Sequence, residues 1–305
     1  MCEFGPSEGE LTAAMTVSRL VGAPEPGSAP VGRTAAGSSP PGPLPAAAGT
    51  LGGMEITEFV ETLRLDGALL ADAADEAGPD APVPSCPEWR VRDLVVHVGR
   101  IHRWATGCVT EPRMRPSRPA EAPEPADDEL VPWLREGHHR LVLALHTAPQ
   151  DLETWAFLPA PSPLAFWARR QAHETSVHRV DAQQAAGAPL TPLPSRFAAD
   201  GVDELLTGFH STARSALHAD PPRTLRLRAT DTPEADWTVR LTDGPPQTVR
   251  TPDAVGAQAC GPADCTVEGP AEQLYLTLWN RLPWDALKVT GDPALAELWR
   301  EHGAP

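Results

Sequence analysis

Residues 166–187 read FWARRQAHETSVHRVDAQQAAG, and this stretch decides how the first half of the chain folds. It follows a Pro-broken turn, PAPSP at 159–163, and predicts a helix from about Ala165 to Ala185. His173 and Glu174 open what looks like the HExxH signature of zinc proteases, but the second histidine stands at 178. His173 and His178 are five residues apart, which turns them roughly 140° from each other on a helix. They cannot face one metal together. Glu174 and His178 are four apart and lie within roughly 40° of one another, so that pair can share a ligand. Trp167, Gln171 and Asp181 fall on or near the same stripe, and Asp181 is placed to orient the His178 ring. The plainer alternative is an exposed Glu–His pair on a solvated helix face.

Three further helices precede this one. MEITEFVETLRLDGALLADAADEAG (54–78) carries a helical apolar repeat. Cys86-Pro87-Glu88-Trp89 leads into a second helix from about Arg90 to Trp104, where Val91, Leu94, Val95, Val98 and Ile101 recur at helical spacing. A third runs from about Glu129 to Ala148, after a Pro-rich connection from Thr110 to Asp128. Four long helices with one long connection predict a four-helix bundle over residues 54–190. In the second helix, LVVHVGRIH (94–102), His97 sits at the edge of the apolar face and His102 nearer its middle. Either could be a core histidine or a ligand. Bundle metal sites are built from inward ligands on facing helices.

Past the linker GAPLTPLPSR (187–196) the texture changes. Ser195 to Leu217 reads as helical. TLRLRAT (224–230) and WTVRLTD (237–243) alternate as half-buried strands do, and CTVEG (265–269) is a further strand. PAEQLYLTLWNRL (270–282) is helical, LKVTGD (287–292) strand-like, and PALAELWREHG (293–303) helical. This predicts a small α+β domain over 196–305. Residues 1–53 are rich in Gly, Pro, Ala and Ser and have little to bury, so they are expected to be disordered. Met54, where the helical text begins, is a second candidate for the translation start.

The formal net charge of −16 repels phosphate backbones and disfavours nucleic-acid binding. No run of about 18 apolar residues predicts a membrane span, and no secretory signal is visible. Five cysteines, Cys2, Cys86, Cys108, Cys260 and Cys265, fit no disulfide framework, which points to a reducing cytoplasm. Lys, Asn and Tyr occur once each, at Lys288, Asn280 and Tyr275, and Ile only twice. Their codons are AT-rich, so a high-GC genome such as an actinobacterial one is expected.

The remaining titratable residues carry weaker signals. Cys86 before a helix could be an activated thiol, but a small buried side chain is the simpler reading. Cys260 and Cys265 have no companion ligands for a zinc ribbon. His138-His139 reads as a solvated helix surface. Arg169-Arg170 could hold a substrate carboxylate or form surface salt bridges.

PSCPEWRVRDLVVHVGRIHRWA (84–105) and FWARRQAHETSVHRVDAQQAAG together resemble the two bundle motifs of the mycothiol-dependent maleylpyruvate isomerase family. TVEGPAEQLYLTLWNRLPWDALKVTGDPALAELW (266–299) resembles its C-terminal domain. The resemblance runs from Met54 to the end, with gaps in the loops. It implies an α+β fold, with a DinB-like metal-binding four-helix bundle followed by a small α/β C-terminal domain. It implies His97, Glu174 and His178 as ligands to one divalent metal, zinc foremost, and so prefers His97 over His102. Where the family has a small capping residue after the tryptophan, this chain has Arg90, which weakens the expected cap. Two histidines and one carboxylate leave an open position, the catalytic arrangement for zinc; the same donors suit iron. The resemblance further implies mycothiol as thiol cosubstrate and a small-molecule electrophile, by cis–trans isomerisation through thiol addition or by thiol transfer. A hydrolase using metal-activated water and a non-catalytic protein stabilised by its metal are the alternatives.

Overall fold

The computed structural model describes residues 53–111, 113–117, 119, 124–250 and 262–303. The expectations for the N-terminal extension, apart from Gly53, and for Cys2 and Cys260 lie outside them. The helix predicted to start near Met54 is α1 (Ile56–Ala77). Its first turn is closed by the Glu58 carboxylate, which accepts the Glu55 N–H at 2.7 Å. The second helix, α2 (Val91–Thr110), runs six residues beyond its predicted end at Trp104. At its start Asp93 accepts the Arg90 N–H at 2.8 Å, which supplies the carboxylate half of a capping box while Arg90 offers no side-chain acceptor of its own. The third helix is α3 (Leu130–Thr147). The fourth, α4 (Pro163–Ala185), starts on Ser162, whose Oγ accepts the Ala165 N–H at 3.1 Å, with Pro163 in the first turn.

In the bundle core Leu63, Leu70, Leu94, Leu134 and Leu141 are fully buried, each contributing roughly 1.5–3 kcal/mol, beside the aromatic group Trp104, Phe166 and Trp167. Gly67 on α1 admits His138 of α3, because a Cβ at that position would run into the imidazole. The expectation that His138-His139 is a solvated pair is therefore corrected for one member. His139 is exposed, but His138 is buried and its Nε2 meets the Leu63 carbonyl at 3.0 Å. A backbone acceptor inside the bundle outweighs the cost of drying that ring.

The second half opens with α5 (Ser195–Glu204), continued by a single π turn at Leu205–Phe209. The helix expected to reach Leu217 thus stops eight residues early. Ser211 and Thr212 turn their hydroxyls back onto the carbonyls of Thr207 and Phe209 and end the helix there. Five strands follow: β1 (Arg223–Ala229), β2 (Asp236–Leu241), β3 (Gln247–Arg250), β4 (Cys265–Gly269) and β5 (Lys288–Gly291). Their order is β3-β2-β1-β4-β5, and β1 and β4 are the parallel pair in an otherwise antiparallel sheet. The edge strand β3 was not expected; at four residues after two prolines it offers little alternation to read. Between β4 and β5 stands α6 (Ala271–Leu278), and α7 (Ala294–His302) closes the chain. Leu225, Leu227, Trp237, Val239 and Val267 form the buried face of the sheet. The architecture is α+β: four helices, then a mixed five-stranded sheet with its own helices.

One element joins the halves. Helix α4 packs on α1 and α2 with one side, and every residue from Phe166 to Gln183 is buried. Its charged side chains are matched by the C-terminal half: Arg169 reaches Asp200 at 2.7 Å, and His173 lies between Asp200 at 2.9 Å and the Tyr275 hydroxyl at 3.1 Å. Asp203 accepts from Trp237 Nε1 on β2 at 3.1 Å and from Arg250 on β3 at 2.6 Å. Neither arginine of the Arg169-Arg170 pair is at the surface, which corrects both readings offered for them: buried carboxylates of α5 consume both.

Candidate metal centre

His97 lies in the second turn of α2, and Glu174 and His178 lie one turn apart on the inner side of α4. The two helices bring the three side chains together. His97 Nε2 is 3.2 Å and His178 Nε2 3.4 Å from the same Glu174 oxygen, Oε1. All three donor atoms lie within 4.8 Å of one another, and this is the cluster of such residues found among the described residues. Glu174 is 6% and His178 8% exposed, so the solvated-pair alternative does not hold. His173 points to the opposite side of α4, as the helical angle requires. His102 is also turned away: its Nε2 meets Thr175 Oγ1 at 2.9 Å.

The surroundings hold the three donors in place. His178 Nδ1 meets Asp181 Oδ2 at 2.8 Å, which leaves Nε2 directed at Glu174. Asp181 is itself fixed by Ser85 Oγ at 2.5 Å and by Arg281, whose Nε and Nη2 donate at 2.9 Å each. The Trp89 ring lies 5.0 Å from His97 and 6.2 Å from His178, roughly parallel to the latter. On the other flank Arg170 donates to Glu174 Oε2 at 3.1 Å and pairs with Glu204.

These contacts set the charges. Burial works against the Glu174 carboxylate, but hydrogen bonds from His178 and His97, with the Arg170 charge, hold it well below the usual range. Burial also opposes charge on His178, yet Asp181 and Glu174 outweigh it and push the imidazole up to about 9. His97 has no second carboxylate, and burial pulls it down. Asp181 stays ionised against burial chiefly because of Arg281. With both imidazoles in the neutral form that a metal ligand needs, the formal charges of Glu174, Glu204, Asp181, Arg170 and Arg281 leave one net negative charge around three nitrogen and oxygen donors. That is a cation site lacking one charge of a divalent ion.

The two His–Glu edges of the donor set fit a metal. With bonds of roughly 2.0–2.1 Å to nitrogen and oxygen, neighbouring ligands on a tetrahedron are about 3.3 Å apart. The two His–Glu separations, 3.2 and 3.4 Å, bracket that edge. Two imidazoles and one carboxylate also suit zinc in its open, catalytic form.

Cys86 is half-buried near Arg281 Nη2, and burial pushes its thiol up, opposite to an activated nucleophile. Sequence reading missed Ser85, Glu204 and Arg281. Glu204 carried a signal: Asp200, Asp203 and Glu204 sit at i, i+3 and i+4 on a helix, a carboxylate stripe complementary to Arg169 and Arg170. Behind Asp181, Ser85 and Arg281 also line an open cleft of about 940 Å³ with Trp284 and Arg300; none of the three donors lines it.

Residues 60–183 match the family described as mycothiol maleylpyruvate isomerase N-terminal domain, and residues 196–298 match the MDMPI C-terminal domain. Among solved structures, the chain is similar to the mycothiol-dependent maleylpyruvate isomerase, with a TM-score of 0.53 at 15% identity, over 80% of this chain and 96% of that one. A histidine-to-alanine mutant of that isomerase superposes with a TM-score of 0.54, at the same identity and coverage. At that identity the likeness establishes a shared fold. No curated protein sequence matches the chain.

Proposed function

Since the chain belongs to the mycothiol-dependent maleylpyruvate isomerase family, we propose that it is a metalloenzyme that activates a low-molecular-weight thiol for addition to a small electrophile. His97, Glu174 and His178 would hold one divalent metal, with zinc best suited to the donors. The thiol is mycothiol, and the reaction is a cis–trans isomerisation of the maleylpyruvate type or an S-transfer. The observation that carries this reading is the pair of 3.2 and 3.4 Å separations about one carboxylate oxygen in a buried, charge-deficient site.

The metal supplies Lewis acidity that lowers the pKa of a coordinated thiol, which is otherwise mostly protonated near neutral pH. The chain's own residues do the rest. Asp181 takes the Nδ1 side of His178 and keeps Nε2 pointed at the centre. Arg281 and Ser85 keep Asp181 ionised and in register. Trp89 packs beside the two imidazoles on one side. With both imidazoles neutral, a thiolate would bring the one negative charge that the site's carboxylates and arginines leave lacking for a divalent ion. Free thiols at Cys86, Cys108 and Cys265 suit a reducing cytoplasm.

Zinc-loaded protein incubated with mycothiol and maleylpyruvate, followed by loss of the cis substrate's ultraviolet absorption, tests the reading. Turnover that requires the thiol supports it. Turnover of an ester or amide substrate without any thiol would replace it with a metal-activated-water hydrolase.

A further inference from the structure

Glu174 has two oxygens in two different environments. Oε1 faces both imidazoles, at 3.2 and 3.4 Å. Oε2 faces away from them and accepts from Arg170 at 3.1 Å. Arg170 is not a loose surface cation: its side chain is 4% exposed, it pairs with Glu204, itself 3% exposed, and its guanidinium lies 5.1 Å from the Phe209 ring and 6.0 Å from Trp279. Glu204 is the last residue of α5, and the π turn Leu205–Phe209 begins directly after it. π turns of this kind recur where backbone is adjusted for a site. Here the turn lies between the two contacts of Arg170 that come from this segment, Glu204 directly before it and Phe209 at its end.

We propose that Arg170, locked by Glu204, reserves Oε2 of Glu174 and restricts this residue to a one-oxygen metal ligand. The inference rests on the metal-site reading above and adds to it a residue pair that sets how many positions remain for substrate. A carboxylate is free to bind a metal through one oxygen or two, and an arginine held on the second oxygen removes the two-oxygen mode. Three one-atom ligands then leave the open position that thiol activation needs. Arg170 and Glu204 touch no reacting atom and are positioning residues. The pair also links the centre to the C-terminal half, because Glu204 belongs to the helix whose Asp200 and Asp203 hold Arg169 and the sheet.

The test uses the full-length chain loaded with Co²⁺, whose visible absorption is intense in four-coordinate sites and weak at higher coordination, alongside zinc-edge X-ray absorption to count ligands. Glu204→Gln loosens the lock with little change of shape. The double variant Arg170→Met, Glu204→Met removes both buried charges together, so neither is stranded, and frees Oε2 completely. The wild type is expected to show the intense four-coordinate spectrum. The double variant is expected to lose much of that intensity, gain one oxygen in the zinc shell and bind metal about 10–100-fold less tightly. Glu204→Gln should fall between the two. Wild-type metal uptake with unchanged spectra in both variants would overturn the positioning role and leave the metal site standing. A wild type that takes up no metal would overturn the metal site and this inference together.

Discussion

His178 and Asp181, three residues apart on one helix, meet through Nδ1 and Oδ2 at 2.8 Å, and this single contact directs the opposite ring nitrogen at Glu174. Replacing Asp181 with Asn removes the charge that holds the ring. We expect Asp181→Asn to weaken zinc binding about 10–100-fold, read by competition with a chromogenic chelator. Unchanged affinity would mean that helix geometry alone orients His178.

The seam between the halves combines one shared apolar cluster with buried ion pairs. Arg169 sits between Asp200 and Asp203, and both carboxylates are buried. Arg169→Met leaves them with fewer cations, although Arg250 still reaches Asp203. Breaking a buried pair by removing one partner costs about 3–5 kcal/mol. Urea unfolding of this variant should show a loss of that order. A loss under about 1 kcal/mol would mean that water reaches the network.

That seam explains what could be read in advance and what could not. Glu174 and His178 were legible because their relation is local: four residues on a helix fix their angle whatever packs around them. The burial of the same helix was not legible. RRQAHETSVHR looks like a water-facing segment, and the carboxylates that let it enter the core stand about 30 residues away on α5. Periodicity reports apolar faces, and a face buried through paired charges leaves no such period. His97 needed the family resemblance, since spacing alone left it level with His102. His138 was misplaced for a related reason: its partner is a backbone carbonyl on another helix, at Leu63, reached across Gly67. Four of the five strands were legible, β1 and β2 from their alternation and β4 and β5 as short strand-like runs. β3 was too short to alternate.

Gly67 gives a packing test. A Cβ there would collide with the His138 ring, so Gly67→Ala should cost about 1–3 kcal/mol despite the better helix propensity of alanine. Trimming the ring in Gly67→Ala, His138→Ala should recover part of the collision cost relative to His138→Ala alone. Thermal melts of the four proteins form a double-mutant cycle. A non-interacting pair would contradict the close approach.

His210 provides a pH test away from the centre. Its Nε2 donates to the Gly303 carbonyl at 2.8 Å, and Nδ1 accepts from Ser215 at 3.0 Å, which uses the neutral ring fully. Burial pulls its pKa down to about 4, with the Gly303 bond opposing. The folded value lies below the ordinary 6.5, so the unfolded chain binds the proton more readily between the two. Stability from this residue is complete above about pH 6.5 and is lost as pH falls toward 4, by up to about 3 kcal/mol. Urea midpoints at pH 7 and pH 4.5 should differ less in His210→Gln than in the wild type. An equal difference in both would place the acid sensitivity elsewhere.

Metal content reports on the three donors themselves. The protein is purified without a metal-affinity column, beside a Glu174→Ala, His178→Ala variant, and both are measured by elemental analysis before and after reloading with zinc. About one metal ion per wild-type chain is expected, and essentially none in the variant. A wild type that stays metal-free after reloading, or a variant that keeps the full complement, would contradict the metal site.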